Sequence, residues 1–323
     1  MKIDGGIRGG LDSATRDAAQ QEERGYDGVW VAETSHDPFL PLLLAAQGTE
    51  RVDLGTAIVV AFARNPMTLA QTSWDLQAAS KGRFILGLGS QIKPHITRRF
   101  SMPWSHPAPR MREMILAIRA IWDCWNTGSK LDFRGDFYQH TLMTPFFNPG
   151  PNPHGDARIF LAGVGGLMTE VAGEVADGFI CHGFTTRQYM PEVTVPALAK
   201  GRAKVGKTLD GFDVVPSVPL VVGADPRRCA DQVRGYAALY LGGMGSRERN
   251  FYNALAVRMG FGDTAATVQD LFLSQRHRDA MAAVPFDFID RTSLLGDRDR
   301  IAERFQILAT SGVTTCALVP YGG

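Results

Sequence analysis

Short runs of branched apolar residues alternate with longer amphipathic runs from one end of the chain to the other. The short runs predict buried strands and the longer runs predict helices, because each has the periodicity of that element. This alternation is typical of βα units around a parallel sheet. The predicted strands are Lys2–Ile7, Gly28–Glu33, Val52–Phe62, Arg83–Ser90, Arg158–Val164, Asp177–His182, Asp213–Val222 and Thr314–Val319. Eight such strands favour a (β/α)8 TIM barrel, with a doubly wound open sheet as the alternative.

Residues with helix-capping chemistry stand at the boundaries between these runs. An Asn or Asp followed by Pro can cap a helix whose first position is the proline. A glycine can take the left-handed conformation that ends a helix. The pattern therefore predicts helix starts at Asn65/Pro66, Asp37/Pro38 and Asp225/Pro226, and helix ends at Gly25, Gly82 and Gly312.

Two segments are longer than ordinary loops. The segment Leu131–Arg158 is rich in proline, glycine and aromatic residues, and we expect a hairpin followed by an extended segment across the barrel mouth. The segment Gly242–Met281 has periodic apolar residues, and we expect extra helices between the seventh and eighth strands. The chain 1–323 is predicted to form one domain with insertions at about 91–157 and 242–295.

Composition excludes several classes of function. The formal net charge of +1 over 323 residues argues against the broad basic surface of a nucleic-acid-binding protein. The chain has no apolar run as long as a signal peptide or a membrane span requires. Its four cysteines lie far apart without metal-ligand spacing, which argues against a disulfide framework or a zinc site. We therefore expect a cytoplasmic protein without a metal site and without nucleic-acid or membrane partners.

Acid–base candidates follow two of the predicted strands. In a barrel, functional side chains project from the C-terminal strand ends. Glu33 and His36 in "AETSHDPF" follow the second strand and His182 in "CHGF" ends the sixth, so each is a candidate for proton transfer. The alternatives are a surface-loop imidazole for His36 and a backbone-bonded histidine for His182. The chain has no serine nucleophile elbow and no HExxH motif, which argues against a hydrolase.

Glycines mark two further strand ends. "RFILGLGSQ" puts Gly87 and Gly89 on one face of the fourth strand, where either a flat ligand approaches or glycine relieves crowding. In "LAGVGGLMTEVA" the fifth strand runs through Gly163, Gly165 and Gly166 into a helix. Amides at a helix start can bind an anion, and ordinary loop glycines are the alternative.

A basic loop, "QIKPHITRRF", follows the fourth strand. It carries Lys93, His95, Arg98 and Arg99 over the predicted mouth. Such a cluster favours the anionic tail of a ligand, and a solvated loop is the alternative.

Longer blocks of sequence carry a family resemblance over nearly the whole chain. The specific block is "VDLGTAIVVAFARNPMTLAQTSWDLQAASKGRFILGLGSQ", and "GYDGVWVAE", "RMREMILAIRAIW" and "FRGDFYQ" accompany it. These blocks resemble the luciferase-like superfamily of flavin- and deazaflavin-dependent barrels. "GSQIKPHITRRF" and "HDPFLPL" are most similar to its branch of coenzyme F420-dependent oxidoreductases.

The resemblance implies a cofactor site. In this superfamily a non-prolyl cis peptide bond in the third strand backs the central ring of the cofactor, and the matching bond here is Ala57–Ile58. The resemblance places the cofactor against Ala57, Ile58, Val60, Arg64, Gly89, Ser90, Gln91, Gly163, Val164, Gly165, Gly166 and Leu167. Ala57 and Ile58 would back the ring. Gly89, Ser90 and Gln91 would border the ring or its ribityl chain, and Gly163–Leu167 would bind the phosphate. Arg64, by position alone, would meet the pyrimidine edge or the acidic tail.

The sequence departs from one part of that family. In its sugar-phosphate dehydrogenases, an Asp-His pair follows the second strand and a glutamate follows the strand-four glycines. Here Glu33 takes the acidic place, His36 is displaced along the loop and Ile92 stands where the glutamate is expected. We therefore do not expect oxidation of glucose 6-phosphate.

The resulting hypothesis is an F420-dependent oxidoreductase that exchanges a hydride with a small organic substrate. The aromatic residues of the two insertions, Phe133, Tyr138, Phe251 and Tyr252, predict a fairly apolar substrate pocket. The alternatives are an FMN-dependent monooxygenase, a non-catalytic flavin- or deazaflavin-binding protein and, without a strand-end lysine to support it, an aldolase-like barrel. The resemblance also predicts a homodimer.

Overall fold

A computed structural model describes residues 1–8, 10–248 and 250–322. Its strands are β1 (Lys2–Gly6), β2 (Gly28–Val31), β3 (Asp53–Thr56), β4 (Val59–Val60), β5 (Phe84–Gly89), β6 (Phe133–Arg134), β7 (Gln139–His140), β8 (Arg158–Gly163), β9 (Gly178–Cys181), β10 (Asp213–Val222), β11 (Leu294–Gly296) and β12 (Thr315–Pro320). Its helices are α1 (Leu11–Glu23), α2 (Phe39–Gly48), α3 (Pro66–Ala79), α4 (Pro107–Thr127), α5 (Gly166–Val175), α6 (Val195–Ala203), α7 (Pro226–Asp231), α8 (Arg234–Ala238), α9 (Phe251–Arg258), α10 (Gly262–Leu273), α11 (His277–Ala283), α12 (Phe286–Thr292) and α13 (Arg298–Ala309).

The parallel strands close into a barrel in the order β1, β2, β3, β5, β8, β9, β10, β12 and back to β1. β4 continues the third barrel strand and pairs with β5, and β11 pairs with the end of β10. The predicted (β/α)8 barrel is therefore confirmed, and the open-sheet alternative is excluded.

The barrel interior is filled by apolar side chains on its inward faces. This interior cluster consists of Trp30, Ile85, Phe160, Ile180, Val215 and Ala317. Near its base the Trp30 indole N–H donates a hydrogen bond of 2.7 Å to the carboxyl of Asp4. Burial raises the pKa of Asp4 to about 7. The packed interior leaves the C-terminal mouth as the place for a ligand.

The predicted helix boundaries are present. The Asn65 side chain accepts from the amide of Thr68 at 3.0 Å, with Pro66 as the first helical residue. The Asp225 carboxylate likewise accepts the amide of Arg227 and caps α7, which begins at Pro226. The Asp37 carboxylate accepts the amide of Phe39, but α2 begins at Phe39, one residue after the predicted start. Left-handed backbone occurs at the three predicted glycines, with φ of 84° at Gly25, 92° at Gly82 and 91° at Gly312.

The first insertion forms the predicted hairpin from β6 and β7, but it lies along α4 on the outside. The Glu113 carboxylate of α4 accepts three consecutive hairpin amides at 2.5–2.9 Å. The extended segment then packs on α3, where the Asn152 side chain donates to the carbonyl of Trp74 at 3.1 Å. The expectation that the extended segment crosses the mouth is therefore wrong, because this segment packs on the C-terminal half of α3, where the Gln77 side chain donates to the carbonyl of Asp156 at 3.1 Å.

The second insertion forms the predicted extra helices. Helices α8 to α12 enclose their own apolar cluster, in which Leu241, Val268 and Phe288 are fully buried. In residues 1–8, 10–248 and 250–322, no helix combines the length and the apolar character that crossing a membrane requires.

Candidate functional site

A bulge interrupts the third barrel strand at the mouth. The peptide bond Ala57–Ile58 is cis, at the position given by the family resemblance. The amide of Ala57 donates to the carbonyl of Val31 at 2.8 Å, and the amide of Glu33 donates to the carbonyl of Ile58 at 3.0 Å. Both bulge residues are half-buried and cap the interior cluster. They form a small apolar wall that faces the mouth.

The glycines of β5 make room for this bulge. A Cβ on Gly87 would stand 1.8 Å from the carbonyl oxygen of Thr56, and one on Gly89 would stand 2.7 Å from the side chain of Ile58. The space in front of both glycines is therefore filled by protein. Relief of crowding explains these glycines, and the contact of the Gly89 backbone with a cofactor stays a prediction.

Glu33 and Arg64 form a closed ion-pair network behind the bulge. The Glu33 carboxylate, whose side chain is 6% exposed, accepts from the amide of Val60 and from the Arg64 guanidinium, each at 2.7 Å. Arg64 also binds the Asp37 carboxylate at 2.8 Å. This neutralises Arg64 and occupies Glu33. The contacts therefore let both residues position the turn after β4. Their roles in ligand binding and proton transfer stay predictions.

Three other predicted cofactor residues flank the bulge. The side chain of Val60 is fully buried in the core outside the barrel, so only its backbone is left for the predicted contact with a cofactor. Ser90 and Gln91 are half-buried at the end of β5, where Gln91 has a left-handed φ of 58°. These two residues stay at the mouth, as the sequence predicts.

The glycine turn, Gly163–Leu167, joins β8 to α5. Gly165 is the residue before the helix and provides no side-chain cap. The first amides of a helix have no partner within the helix, and Gly166 and Leu167 are exposed here. A Cβ on Gly166 would meet nothing within 4 Å. The turn is therefore open, and its amides suit an anion.

The basic loop after β5 lies at the same end of the barrel. Residues His95–Arg99 form one π-helical turn. The Arg99 guanidinium donates to the carbonyl of Thr34 at 2.6 Å and so ties this loop to the one after β2. Within the described part of the chain, Lys93 and Arg98 form no salt bridge, in contrast to Arg64. Both cations are available to an anionic ligand.

The two candidate histidines differ in environment. His36 is exposed on the loop after β2. His182 lies across the mouth, where its Nδ1 accepts from the amide of Phe184 at 3.2 Å and its Nε2 lies 3.0 Å from the Tyr236 hydroxyl. Burial lowers the pKa of His182 to about 3. His182 is thus a neutral, hydrogen-bonded histidine, in line with the backbone-bonded alternative, and its role in proton transfer stays a prediction.

Aromatic side chains surround His182. We define the tyrosine wall as His182, Tyr236, Tyr240, Tyr252 and Tyr321. The ring of His182 lies 4.4 Å from that of Tyr240 and 4.5 Å from that of Tyr252, and Tyr236 lies 6.0 Å from Tyr321. All five residues are half-buried.

Sequence reasoning found only part of this wall. Tyr252 was among the predicted pocket aromatics. Tyr236 and Tyr240 were missed, although their spacing of one helical turn is a readable signal. Of the other predicted pocket aromatics, Phe251 lies beside the glycine turn, with its ring 3.3 Å from a Cβ on Gly165. Phe133 is part of the hairpin, and Tyr138 lies in its turn, where the Tyr138 hydroxyl accepts from the Arg110 guanidinium at 2.8 Å.

Comparison with known proteins identifies the family and the fold of the chain. The model of a family described as luciferase-like monooxygenase matches residues 4–315. The uncharacterized protein Rv1360 of Mycobacterium tuberculosis is 54% identical over 230 residues, which cover 71% of this chain and 68% of that protein. The F420-dependent glucose-6-phosphate dehydrogenase of Nocardia farcinica is 30% identical over 239 residues, 69% of each chain. The F420-dependent tetrahydromethanopterin reductase from Methanopyrus kandleri shares the fold, with a TM-score of 0.81 at 19% identity over 99% of this chain and 92% of that one.

Proposed function

Because the chain belongs to the luciferase-like monooxygenase family, we propose that it is an oxidoreductase that binds coenzyme F420 and exchanges a hydride between the deazaflavin and a small organic substrate. The observation that carries this proposal is the arrangement of the mouth. β5 pairs with β4 on one side and with β8 on the other. The apolar bulge and the open glycine turn are therefore about 10 Å apart, two strand spacings, at one end of the barrel.

The residues present fit the parts of such a cofactor. The bulge offers a flat apolar surface for a ring. The start of α5 offers amides without a capping side chain, which suit a phosphate. Lys93 and Arg98 suit the acidic tail that F420 carries and FMN lacks.

The chemistry divides between cofactor and protein. When bound, F420 supplies the ring carbon that gives or takes a hydride. The chain supplies orientation: Glu33 and Arg64 hold the turn after β4, and through it the wall that supports a ring. His36, exposed on the neighbouring loop, is our candidate for proton exchange with substrate or solvent.

The names of the related proteins support the choice of cofactor. Both the Nocardia dehydrogenase and the Methanopyrus reductase are named for their dependence on F420. Their substrates, a sugar phosphate and a pterin, differ, so the substrate must be argued from this chain. The departures at Glu33, His36 and Ile92 do not favour glucose 6-phosphate.

Equilibrium titration tests the cofactor proposal. Purified protein is titrated separately with F420 and with FMN while cofactor fluorescence is followed. We expect F420 to bind more tightly than FMN, and His36→Asn to leave the affinity for F420 unchanged. Tight binding of FMN alone would overturn the choice of F420 and favour the monooxygenase alternative.

The proposal includes a homodimer. Helix α2 exposes Leu40 and Leu43, with relative exposures of 54% and 40%, and an apolar helix face of this kind suits burial against a second copy. Sedimentation equilibrium should give twice the chain mass of 35.2 kDa, and a monomer at micromolar concentration would contradict this part.

A further inference from the structure

The tyrosine wall stands opposite the bulge. In the closed ring of eight strands, the bulge belongs to the third position and the wall to the sixth to eighth, since His182 follows β9 and Tyr321 follows β12. Positions four apart in such a ring face each other across the mouth. A compound held between the bulge and the wall would therefore touch both surfaces.

His182 fixes the direction of one hydroxyl in this wall. Its Nδ1 accepts from a backbone amide, and a neutral imidazole has one acceptor and one donor nitrogen. Nε2 therefore carries the hydrogen and donates it to the Tyr236 oxygen at 3.0 Å. This leaves the hydroxyl hydrogen of Tyr236 for another acceptor, and the described residues provide none. Gly183 allows this approach, because a Cβ there would stand 3.0 Å from the Tyr236 oxygen.

The hydroxyls of the three other tyrosines of the wall reach open space. In the described part of the chain, the hydroxyls of Tyr240, Tyr252 and Tyr321 have no hydrogen-bond partner. Their oxygens are not fully buried, so they are accessible to solvent or to a ligand. Burial raises the pKa of each of these tyrosines, and of Tyr236. The hydroxyls therefore stay neutral at physiological pH and act as hydrogen-bond donors.

Little formal charge acts on the wall. The cation in contact with it within the described residues is Arg8, 5.6 Å from the centroid of the Tyr321 ring. No carboxylate or lysine contributes to the pKa of the wall tyrosines. A phosphate or carboxylate held among Tyr236, Tyr240 and Tyr252, which Arg8 does not contact, would lose its hydration without a counter-ion.

We propose that the tyrosine wall is the substrate subsite, and that it takes the uncharged aromatic body of a ketone or alcohol whose oxygen accepts a hydrogen bond from Tyr236. This rests on the proposed function, which supplies the hydride partner on the opposite side of the mouth. His182 is a positioning residue in this scheme, and Tyr236 contacts the substrate.

Binding of acetophenone to the full chain tests the subsite. The protein is labelled with ¹³C-tyrosine, and acetophenone is added while ¹³C–¹H NMR spectra of the tyrosine rings are recorded. The change in signal position with concentration gives the dissociation constant, and the rings whose signals shift locate the binding site. We expect shifts at Tyr236 and its neighbours in the wall. The charged analogue 4-acetylbenzoate should bind at least tenfold more weakly.

The variant Tyr236→Phe isolates the hydroxyl, because it keeps the ring. The affinity for acetophenone should fall about 2- to 12-fold, which corresponds to the loss of one net hydrogen bond. The affinity for toluene, which has no oxygen, should be unchanged. Tyr26→Phe, which lies at the other end of the barrel before β2, is the matched control and should change neither. The wall is not the subsite if acetophenone shifts none of its rings, if 4-acetylbenzoate binds as tightly, or if Tyr236→Phe binds acetophenone like the wild type.

The titrations are run on the free protein and again with saturating F420. Failure of F420 to bind would contradict the proposed function while the acetophenone titration still tests the wall. Binding of F420 without binding of acetophenone would contradict the subsite alone.

Discussion

Replacing Glu33 tests whether this residue positions the bulge or takes part in catalysis. Glu33→Ala leaves the buried amide of Val60 without an acceptor, which costs about 1–3 kcal/mol. It also removes one partner of Arg64. That guanidinium keeps Asp37 at 2.8 Å and is 20% exposed, so the further loss is small, and we expect about 2–4 kcal/mol in total. Glu33→Gln keeps an oxygen for the Val60 amide and should cost about 1 kcal/mol.

Scanning calorimetry and F420 titration measure these effects together. Unfolding entropy of about 2.1 cal/mol/K per residue converts the loss in Glu33→Ala to a fall in Tm of roughly 3–6 °C. The affinity of Glu33→Ala for F420 should fall in parallel, because the bulge loosens. Glu33→Gln should keep most of the wild-type Tm and most of the affinity for F420. The positioning role is refuted if Glu33→Gln abolishes turnover with Tm and F420 affinity unchanged, since that result identifies a proton-transfer group.

Three further predictions concern the turn, the buried ionisable groups and the strand glycines. Gly166→Pro removes one amide hydrogen at a position where helices accept proline. It should lower the affinity for F420 at least tenfold in fluorescence titrations without lowering Tm, whereas Gly166→Ala keeps the amide and should leave the affinity unchanged. The pKa of His182 is lowered from 6.5 to about 3 in the folded protein. Between these pH values His182 is protonated only in the unfolded state. The free energy of unfolding should therefore fall by about 1.4 kcal/mol for each pH unit from 6 towards 4 through this group. The pKa of Asp4 is raised to about 7, so through this group stability is lost as pH rises from about 4 to 7. Urea unfolding at each pH measures both effects. His182→Gln should remove the dependence due to His182, and Asp4→Asn should remove the dependence due to Asp4. Gly87→Ala should lower the free energy of unfolding more than Gly89→Ala, because its Cβ meets a backbone carbonyl at 1.8 Å and not a side chain at 2.7 Å; equal losses would contradict this.

The strands and helix ends were predictable because their signals are local. Asn65 caps α3 through an amide three residues away, and Gly25, Gly82 and Gly312 need only their own backbone conformation. The break inside the third strand came from the family resemblance, because "TAIVV" reads as continuous strand.

The roles of the charged residues were not predictable in the same way. Arg64 pairs with Glu33 across 31 positions of sequence, so its neutralisation depends on how two strands meet. The extended segment after the hairpin was placed wrongly because its contacts with Trp74 and Gln77 of α3 span 78 and 79 positions of sequence. Tyr236 and Tyr240 had periodicity but no strand end to mark them.

A crystal structure of the F420 complex tests the central claim most directly. The account predicts ring density against Ala57 and Ile58, with the phosphate on the amides of Gly166 and Leu167 and the acidic tail toward Lys93 and Arg98. A ring bound elsewhere, or a phosphate away from the start of α5, would contradict it.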